Sequence, residues 1–142
     1  MEPSDVRRRL RAAIDEAKRH STERRTRVDA ASRAWAEVLP ATVVPAFHAL
    51  SQALAAEGHR FKVLTPGESA RLSVERSAEE FIELALDTAR DTPAVMVRST
   101  RGRGRRMVSA ERVAIEGDGI AQLTQEAVVG LLLEELIPFI ER

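Results

Sequence analysis

The chain has 142 residues, with 22 basic and 22 acidic side chains and no cysteine. This length fits one domain that buries enough surface to fold without a disulfide or a metal ion. The missing cysteine excludes disulfides, thiolate zinc sites, iron–sulfur clusters and cysteine nucleophiles.

The net charge of zero conceals blocks of opposite sign. Residues 1–36 carry ten basic and six acidic side chains, and residues 93–112 carry six arginines and one glutamate. Residues 68–92 have seven acids against three arginines, and residues 113–142 have six acids against one arginine. Because no single sign dominates, this patchwork argues against a dedicated DNA-binding protein. Such blocks favour pairing within one chain or between chains.

The sequence predicts a cytoplasmic protein without a membrane segment. Its first residues contain no apolar stretch of the kind found in signal peptides. The longest dense apolar run, Ala127–Ile140, is interrupted by Glu134, Glu135 and Pro138 and is shorter than the ~20 residues that a membrane span needs. The arginine-rich, cysteine-free composition is typical of a bacterial protein.

A long N-terminal helix is predicted from about Asp5 to Leu39. Ser4 is a suitable N-cap, and Pro40 is expected to end the helix. Apolar or small residues alternate at spacings of three and four, which is typical of a coiled-coil seam, with Ser21 and Arg24 as a polar interruption. The seam residues are Leu10, Ile14, Ala17, Val28, Ala31, Trp35 and Val38.

Such a helix would be about 50 Å long, whereas a compact domain of this size is roughly 37 Å across. It therefore breaks near His20–Thr22 or packs on another chain, and we expect self-association, with a dimer favoured. The expected contacts in this helix are Leu10, Ile14, Val28 and Trp35. For Trp35 the alternative is an intramolecular contact with Phe47.

Residues 41–57 predict a second helix that buries one apolar face, formed by Val43, Phe47, Leu50 and Leu54. Gly58 is the expected C-terminal stop, and Pro45 is compatible only with the first turn. The two helices form either a hairpin or a kinked continuation. Residues 1–58 are thus a helical region that folds as one unit with residues 59–142.

The next segments alternate apolar and polar residues, as strands do. Two strands at Phe61–Val63 and Ala70–Val74 flank a turn at Pro66–Gly67. In residues 77–90 a capping box at Ser77 and Glu80 indicates a helix, whereas the alternation through Ile82 and Leu84 indicates a strand; we favour the strand.

Two further strands, Ala94–Ser99 and Arg105–Ala114, flank a predicted turn at Arg101–Gly104. A loop follows at Gly117–Gly119. The expected fold class is α+β: a long helix and a second helix, an antiparallel meander of about five strands, and an apolar C-terminal helix.

The C-terminal helix begins after an N-cap at Thr124 and is apolar over more than one face. The face predicted to cover the sheet has Val128, Leu132, Leu136 and Phe139 or Ile140. A second face needs another partner, either the helix at residues 41–57 or a second subunit. Its residues are Val129, Leu133 and Ile137.

The sharpest local feature is the segment 98–106, which has five arginines in a predicted hairpin; we call it the arginine hairpin. Its candidate contacts with nucleic-acid phosphates or an acidic protein are Arg101, Arg103, Arg105 and Arg106. No aromatic residue lies in this loop to stack on bases. A solvated tip that protects the sheet edge is the alternative.

The sequence offers no pattern for catalysis, a cofactor or a metal. His20, His48 and His59 lack ligand spacing, and no phosphate-binding glycine loop precedes a helix. The leading hypothesis is a non-enzymatic interaction, scaffold or accessory subunit that binds itself and another protein. One alternative is a nucleic-acid-binding accessory protein, and another is a small-molecule or enzyme site between the sheet and the last helix.

Overall fold

The structure, a computed structural model, describes residues 1–141 and has the predicted α+β architecture. The α-helices are α1 (Pro3–Val38), α2 (Val44–Ala56) and α3 (Gln125–Glu141). The strands are β1 (Phe61–Leu64), β2 (Ser69–Val74), β3 (Ser77–Asp87), β4 (Ala94–Arg103) and β5 (Arg106–Glu116). A short 3-10 helix, Gly117–Gln122, replaces the loop expected at Gly117–Gly119.

A π-helical turn, Leu39–Val43, joins α1 to α2 without a loop. The prediction that Pro40 ends the helix is therefore wrong, and the kinked continuation, not the hairpin, is present. Proline lacks an N–H group and its ring clashes with the carbonyl four residues earlier. A π turn bonds over five residues, so the wider turn accommodates Pro40. Pro45 lies in the first turn of α2, as expected.

The other end of α1 also differs from the prediction. The helix begins at Pro3, with Glu2 in the capping position and an extended backbone there, so Ser4 lies inside the first turn. Proline suits this first position because the N–H that it lacks has no partner in a helix anyway. No break occurs at His20–Thr22, and the helix runs through all 36 residues.

Gly58 ends α2 as predicted. It has a φ of +87°, and its N–H donates to the Ala55 carbonyl at 3.0 Å. The His59 N–H donates to the Leu54 carbonyl at 2.8 Å. These two bonds form a Schellman motif, which requires a left-handed residue where glycine is favoured.

The five strands form one antiparallel sheet in the order β1-β2-β3-β4-β5, which confirms the meander. Residues 77–87 are a strand, so the alternation through Ile82 and Leu84 outweighs the apparent capping box. The turn between β4 and β5 is shorter than predicted. Arg103 pairs with Arg106, which leaves Gly104 and Arg105 as the two turn residues. Gly104 has a φ of +62°, which a two-residue hairpin turn needs at its first position.

The core lies between the three helices and one face of the sheet. The C-terminal part of α1, the π turn, α2 and α3 bury their apolar side chains against alternate residues of β2, β3 and β4. Fully buried side chains in this layer include Val43, Phe47, Leu72, Ile82, Leu84, Val95, Val97, Leu132 and Leu136. The predicted faces of α2 and α3 are both buried as expected, with Phe139 rather than Ile140 as the last core residue of α3.

Thr124 is the N-cap of α3, as predicted, since its Oγ1 accepts a hydrogen bond from the Ala127 N–H at 3.1 Å. Leu123 and Val128 are buried on either side of this cap.

Trp35 joins α1 to the sheet. Its side chain is only 1% exposed, and its indole N–H donates to the Glu68 carbonyl in the β1–β2 turn at 2.7 Å. Phe47 belongs to the same buried cluster. Trp35 is thus enclosed by its own chain, and it is not on the surface available to a second subunit.

We expect Trp35→Phe to lower the free energy of unfolding by about 1–3 kcal/mol. The change keeps an aromatic ring but leaves the Glu68 carbonyl without its donor. Urea denaturation followed by far-ultraviolet circular dichroism measures this, since Trp35 is the only tryptophan. An unchanged midpoint would show that the hydrogen bond does not anchor the helix.

Candidate interaction surfaces

The arginine hairpin projects at the end of β4 and β5. Arg103, Arg105 and Arg106 are exposed, and Arg101 is half-buried. Within residues 1–141 none of these four guanidinium groups forms an ion pair. Arg103 and Arg106 face each other in the ladder, where like charges repel. The structure thus brings the four predicted arginines together, and Arg101 and Arg103 line a shallow pocket with Glu141 of α3.

Glu80 attaches the hairpin to β3. Its Oε1 accepts a hydrogen bond from the Gly102 N–H at 2.7 Å, and the residue is only 8% exposed. A Cβ at position 102 would lie 3.2 Å from that oxygen, so glycine permits the close approach. Sequence reasoning assigned Glu80 to a helix cap and missed this role, because the strand register that brings Gly102 beside it is a long-range property.

A second surface is the N-terminal part of α1, Pro3–Glu23, which we call the arm. Every residue from Val6 to Arg27 is exposed. The side-chain hydrogen bonds of the arm stay within it, as between Arg8 and Asp5. The first tie to another element is at Arg24, whose Nη2 donates to the Ala89 carbonyl at 3.3 Å.

The residues predicted for self-association on α1 therefore divide into two groups. Leu10 and Ile14 are exposed on the arm, whereas Val28 is half-buried and Trp35 lies in the core. Val6, which the sequence analysis did not select, is also exposed and lies one turn before Leu10. The four-residue spacing between Val6 and Leu10 could have identified Val6 from the sequence.

A third surface is the outer face of α3. Leu133, Ile137 and Ile140 are exposed in one row, which we call the α3 stripe, and Val129 is half-buried beside it. The helix α2 lies next to α3 but leaves this row uncovered. The sequence allowed two partners for this face, the helix at residues 41–57 or a second subunit. In the structure that helix, α2, covers only part of the face.

The sheet face opposite the helices has a row of alternating charge across four strands, which we call the charge ladder. In register it runs Arg71, Glu83, Arg98 and Glu111. Arg71 Nη2 lies 2.6 Å from Glu83 Oε2, and its guanidinium stacks 4.0 Å from the centre of the Phe81 ring. Arg98 Nη2 lies 4.0 Å from Glu111 Oε1. Sequence reasoning missed this feature because cross-strand register decides it.

Ser73 on the same face is fully buried, and its Oγ has no hydrogen-bond partner among the described residues. Ser69, also buried, donates to the Pro66 carbonyl at 2.6 Å. The two buried serines can therefore be compared directly, because the Ser69 hydroxyl makes a hydrogen bond and the Ser73 hydroxyl makes none among the described residues.

We expect Ser73→Ala to leave stability unchanged or to raise the free energy of unfolding by about 1 kcal/mol, because it removes an unpaired buried hydroxyl. Ser69→Ala is the control and should lower it by about 1 kcal/mol. Urea denaturation of both variants provides the comparison. A larger loss for Ser73→Ala than for Ser69→Ala would contradict this account.

A cleft of about 700 Å³ opens at the edge of the sheet beside the end of α3. It is lined by Gly58, His59, Arg60, Phe61, Val74, Glu75, Arg76, Phe139 and Ile140. His59 and Glu75 are both exposed at its rim and share no hydrogen bond in the described residues. Nor do residues 1–141 contain a group of three or more histidine or acidic side chains that could hold a metal ion.

One helical path, Pro3–Ala56, is long and apolar enough by length and composition alone to cross a membrane. Its most apolar 18-residue window has a mean hydropathy of 1.4, and 33% of that window is buried. Core helices pass the same test, and Trp35, Phe47 and Leu50 on this path pack in the core, so the path is only weak support for a membrane segment.

Comparisons with protein-family models, with curated proteins and with solved structures find no match to this chain.

Proposed function

We propose that this protein is a non-enzymatic interaction or scaffold subunit of the cytoplasm that associates with itself, as a dimer, through its helices, and that it also binds another protein. The observation that carries the proposal is the arm. It exposes Val6, Leu10 and Ile14 at four-residue spacing, on a helix whose first side-chain hydrogen bond to another element, among the described residues, is at Arg24.

The arm is long for an isolated helix that has no packing partner. From Pro3 to Glu23 it extends about 30 Å, at ~1.5 Å per residue. Helices in proteins take most of their stability from packing of an apolar face, and single helices in water are marginal. Burial of the three apolar side chains against a partner supplies that stabilisation, at roughly 25 cal/mol per Å² of apolar surface removed from water.

We expect the purified chain to elute as a dimer of about 31 kDa, twice its 15.7 kDa. Leu10→Glu combined with Ile14→Glu should raise the dissociation constant at least tenfold, because each charge would enter a desolvated contact. Size-exclusion chromatography with light scattering, over a dilution series, measures both.

The control is Ala12→Glu, which adds one glutamate to the arm on the side away from Leu10 and Ile14 and is compared with Leu10→Glu alone. It should leave the dissociation constant unchanged. A wild-type chain that is monomeric at 100 micromolar, or equal effects of the three glutamates, would refute self-association through the apolar row of the arm.

A second candidate function is binding of single-stranded nucleic acid by the arginine hairpin. The specific observation in its favour is the cluster of guanidinium groups that form no ion pair within residues 1–141, with Arg103 directly opposite Arg106. Phosphates would relieve this repulsion and accept charge-assisted hydrogen bonds. The mixed charge of the rest of the chain and the missing aromatic residues make it the second candidate.

If the hairpin binds nucleic acid, a fluorescent 20-nucleotide single-stranded RNA should bind at 50 mM salt with strong salt dependence. Replacing Arg101, Arg103, Arg105 and Arg106 by Ala should then weaken binding at least tenfold and flatten the salt dependence. The control removes four other exposed arginines, at positions 25, 27, 60 and 90. Equal losses in both variants, or no binding, would exclude a specific role for the hairpin.

A further inference from the structure

Two exposed apolar rows of similar length lie on different helices of this chain. On the arm, Val6, Leu10 and Ile14 are 50%, 56% and 44% exposed. On the α3 stripe, Leu133, Ile137 and Ile140 are 50%, 54% and 45% exposed. Each row spans about two helical turns, or roughly 11–12 Å. Rows of this spacing on two helices pack against each other side by side.

The charges around the two rows are opposite. From Val6 to Ile14 the arm has four arginines and no acid, and α3 has four glutamates and no basic residue between Gln125 and Glu141. Arg8 pairs with Asp5, and Arg112 on β5 engages Glu134 and Glu135.

The remaining charges have no ion-pair partner within residues 1–141. Between Val6 and Ile14 these are Arg7, Arg9 and Arg11, and on α3 they are Glu126 and Glu141, at opposite ends of the helix. Glu141 also lines a shallow pocket with Arg101 and Arg103. A basic-flanked apolar row and an acid-flanked apolar row of equal length are complementary in both shape and charge.

The arm cannot reach the α3 stripe of its own chain. It is part of one continuous 36-residue helix whose other end is held in the core by Trp35. Folding back would require a break, and none occurs at His20–Thr22. The occupant of the α3 stripe therefore comes from outside the chain.

We propose that the arm of one copy docks along the α3 stripe of a second copy, apolar row against apolar row, with the arginines at positions 7–11 beside Glu141. This inference rests on the proposed self-association and names its contact. Two copies that exchange arms in this way form a closed, two-fold symmetric dimer in which both stripes are covered.

Pairing of two arms with each other is the competing arrangement. It would place the arginines of Arg7–Arg11 against the same cluster of the other chain in a parallel pair, where like charges repel. A parallel pair would also contain Ser21 and Arg24 in its seam beyond the apolar row. An antiparallel pair centred on Leu10 would still set the arginines at positions 7–11 of one chain against those of the other. Docking on α3 avoids both problems, since acids face the arginines and only the apolar part of the arm is covered.

Cross-linking between single cysteines tests the contact directly, because the natural chain has no cysteine. Leu10→Cys lies in the middle of the arm row and Ile137→Cys in the middle of the α3 stripe, so the pair is informative for either helix direction. The two variants are mixed, one of them labelled with ¹⁵N, and treated with a short bismaleimide. Mass spectrometry then separates mixed from homotypic products.

We expect the mixed Leu10→Cys–Ile137→Cys product to exceed each homotypic product at least fivefold. If Leu10→Cys cross-links mainly to itself, the arms pair with each other. Self-association is then supported, but the contact between the arm and the α3 stripe is wrong. If no product forms and light scattering shows a monomer, both the self-association and the contact are wrong. As a positional control, Ala12→Cys replaces Leu10→Cys and should lower the mixed yield.

A charge exchange gives an independent test on the full chain. Arg7→Glu with Arg11→Glu should weaken dimerisation at least tenfold, and Glu141→Arg should weaken it as well. The chain with all three substitutions should dimerise more tightly than the Arg7→Glu, Arg11→Glu variant, because the facing charges are again of opposite sign. A triple variant no tighter than that double variant would overturn the contact. Arg8→Glu, on the far side of the arm, should have no effect.

Discussion

The arrangement of this protein depends on the π turn at Leu39–Val43. It carries the helical path past Pro40, so that α1 and α2 meet without a loop and neither can fold onto the other as a hairpin. Trp35, one turn earlier, is fixed to the β1–β2 turn by its indole hydrogen bond. Because the last turns of α1 are held in the core, the first part of the same helix extends away from the sheet.

The apolar core lies on one face of the sheet, and the charged side chains of the sheet lie on the opposite face. All three helices cover the same face of the meander, and the opposite face has no helical layer. On that face the charge ladder and the stacking of Arg71 on Phe81 take the place of apolar packing. A buried ion pair such as Arg71–Glu83 is weak support for net stability, because desolvation opposes the Coulomb attraction. It does favour one strand register over a shift that would place like charges opposite each other.

Local patterns were sufficient for the elements whose stabilisation is local or periodic. The alternation in β3, the apolar faces of α2 and α3, the Thr124 cap and the Gly58 stop are confirmed, since each depends on neighbours within a few residues. The errors at Pro40, at Ser4 and at the β4–β5 turn have one cause. Each concerned where an element ends, and there a small change of backbone, such as a π turn or a glycine with positive φ, removes the conflict that the local rule assumes.

The sequence alone determined the fold class, the order of the elements, the segregated charges and the excess of apolar residues on the last helix, because these follow from composition and from periods of two and 3.6 residues. Only the tertiary structure decided which residues of the seam are exposed to solvent. Leu10 and Ile14 are exposed while Trp35 is buried, although all three share one heptad pattern. A period shows that residues share a face of a helix. What covers that face depends on contacts between distant segments, here the core at one end of α1 and solvent at the other.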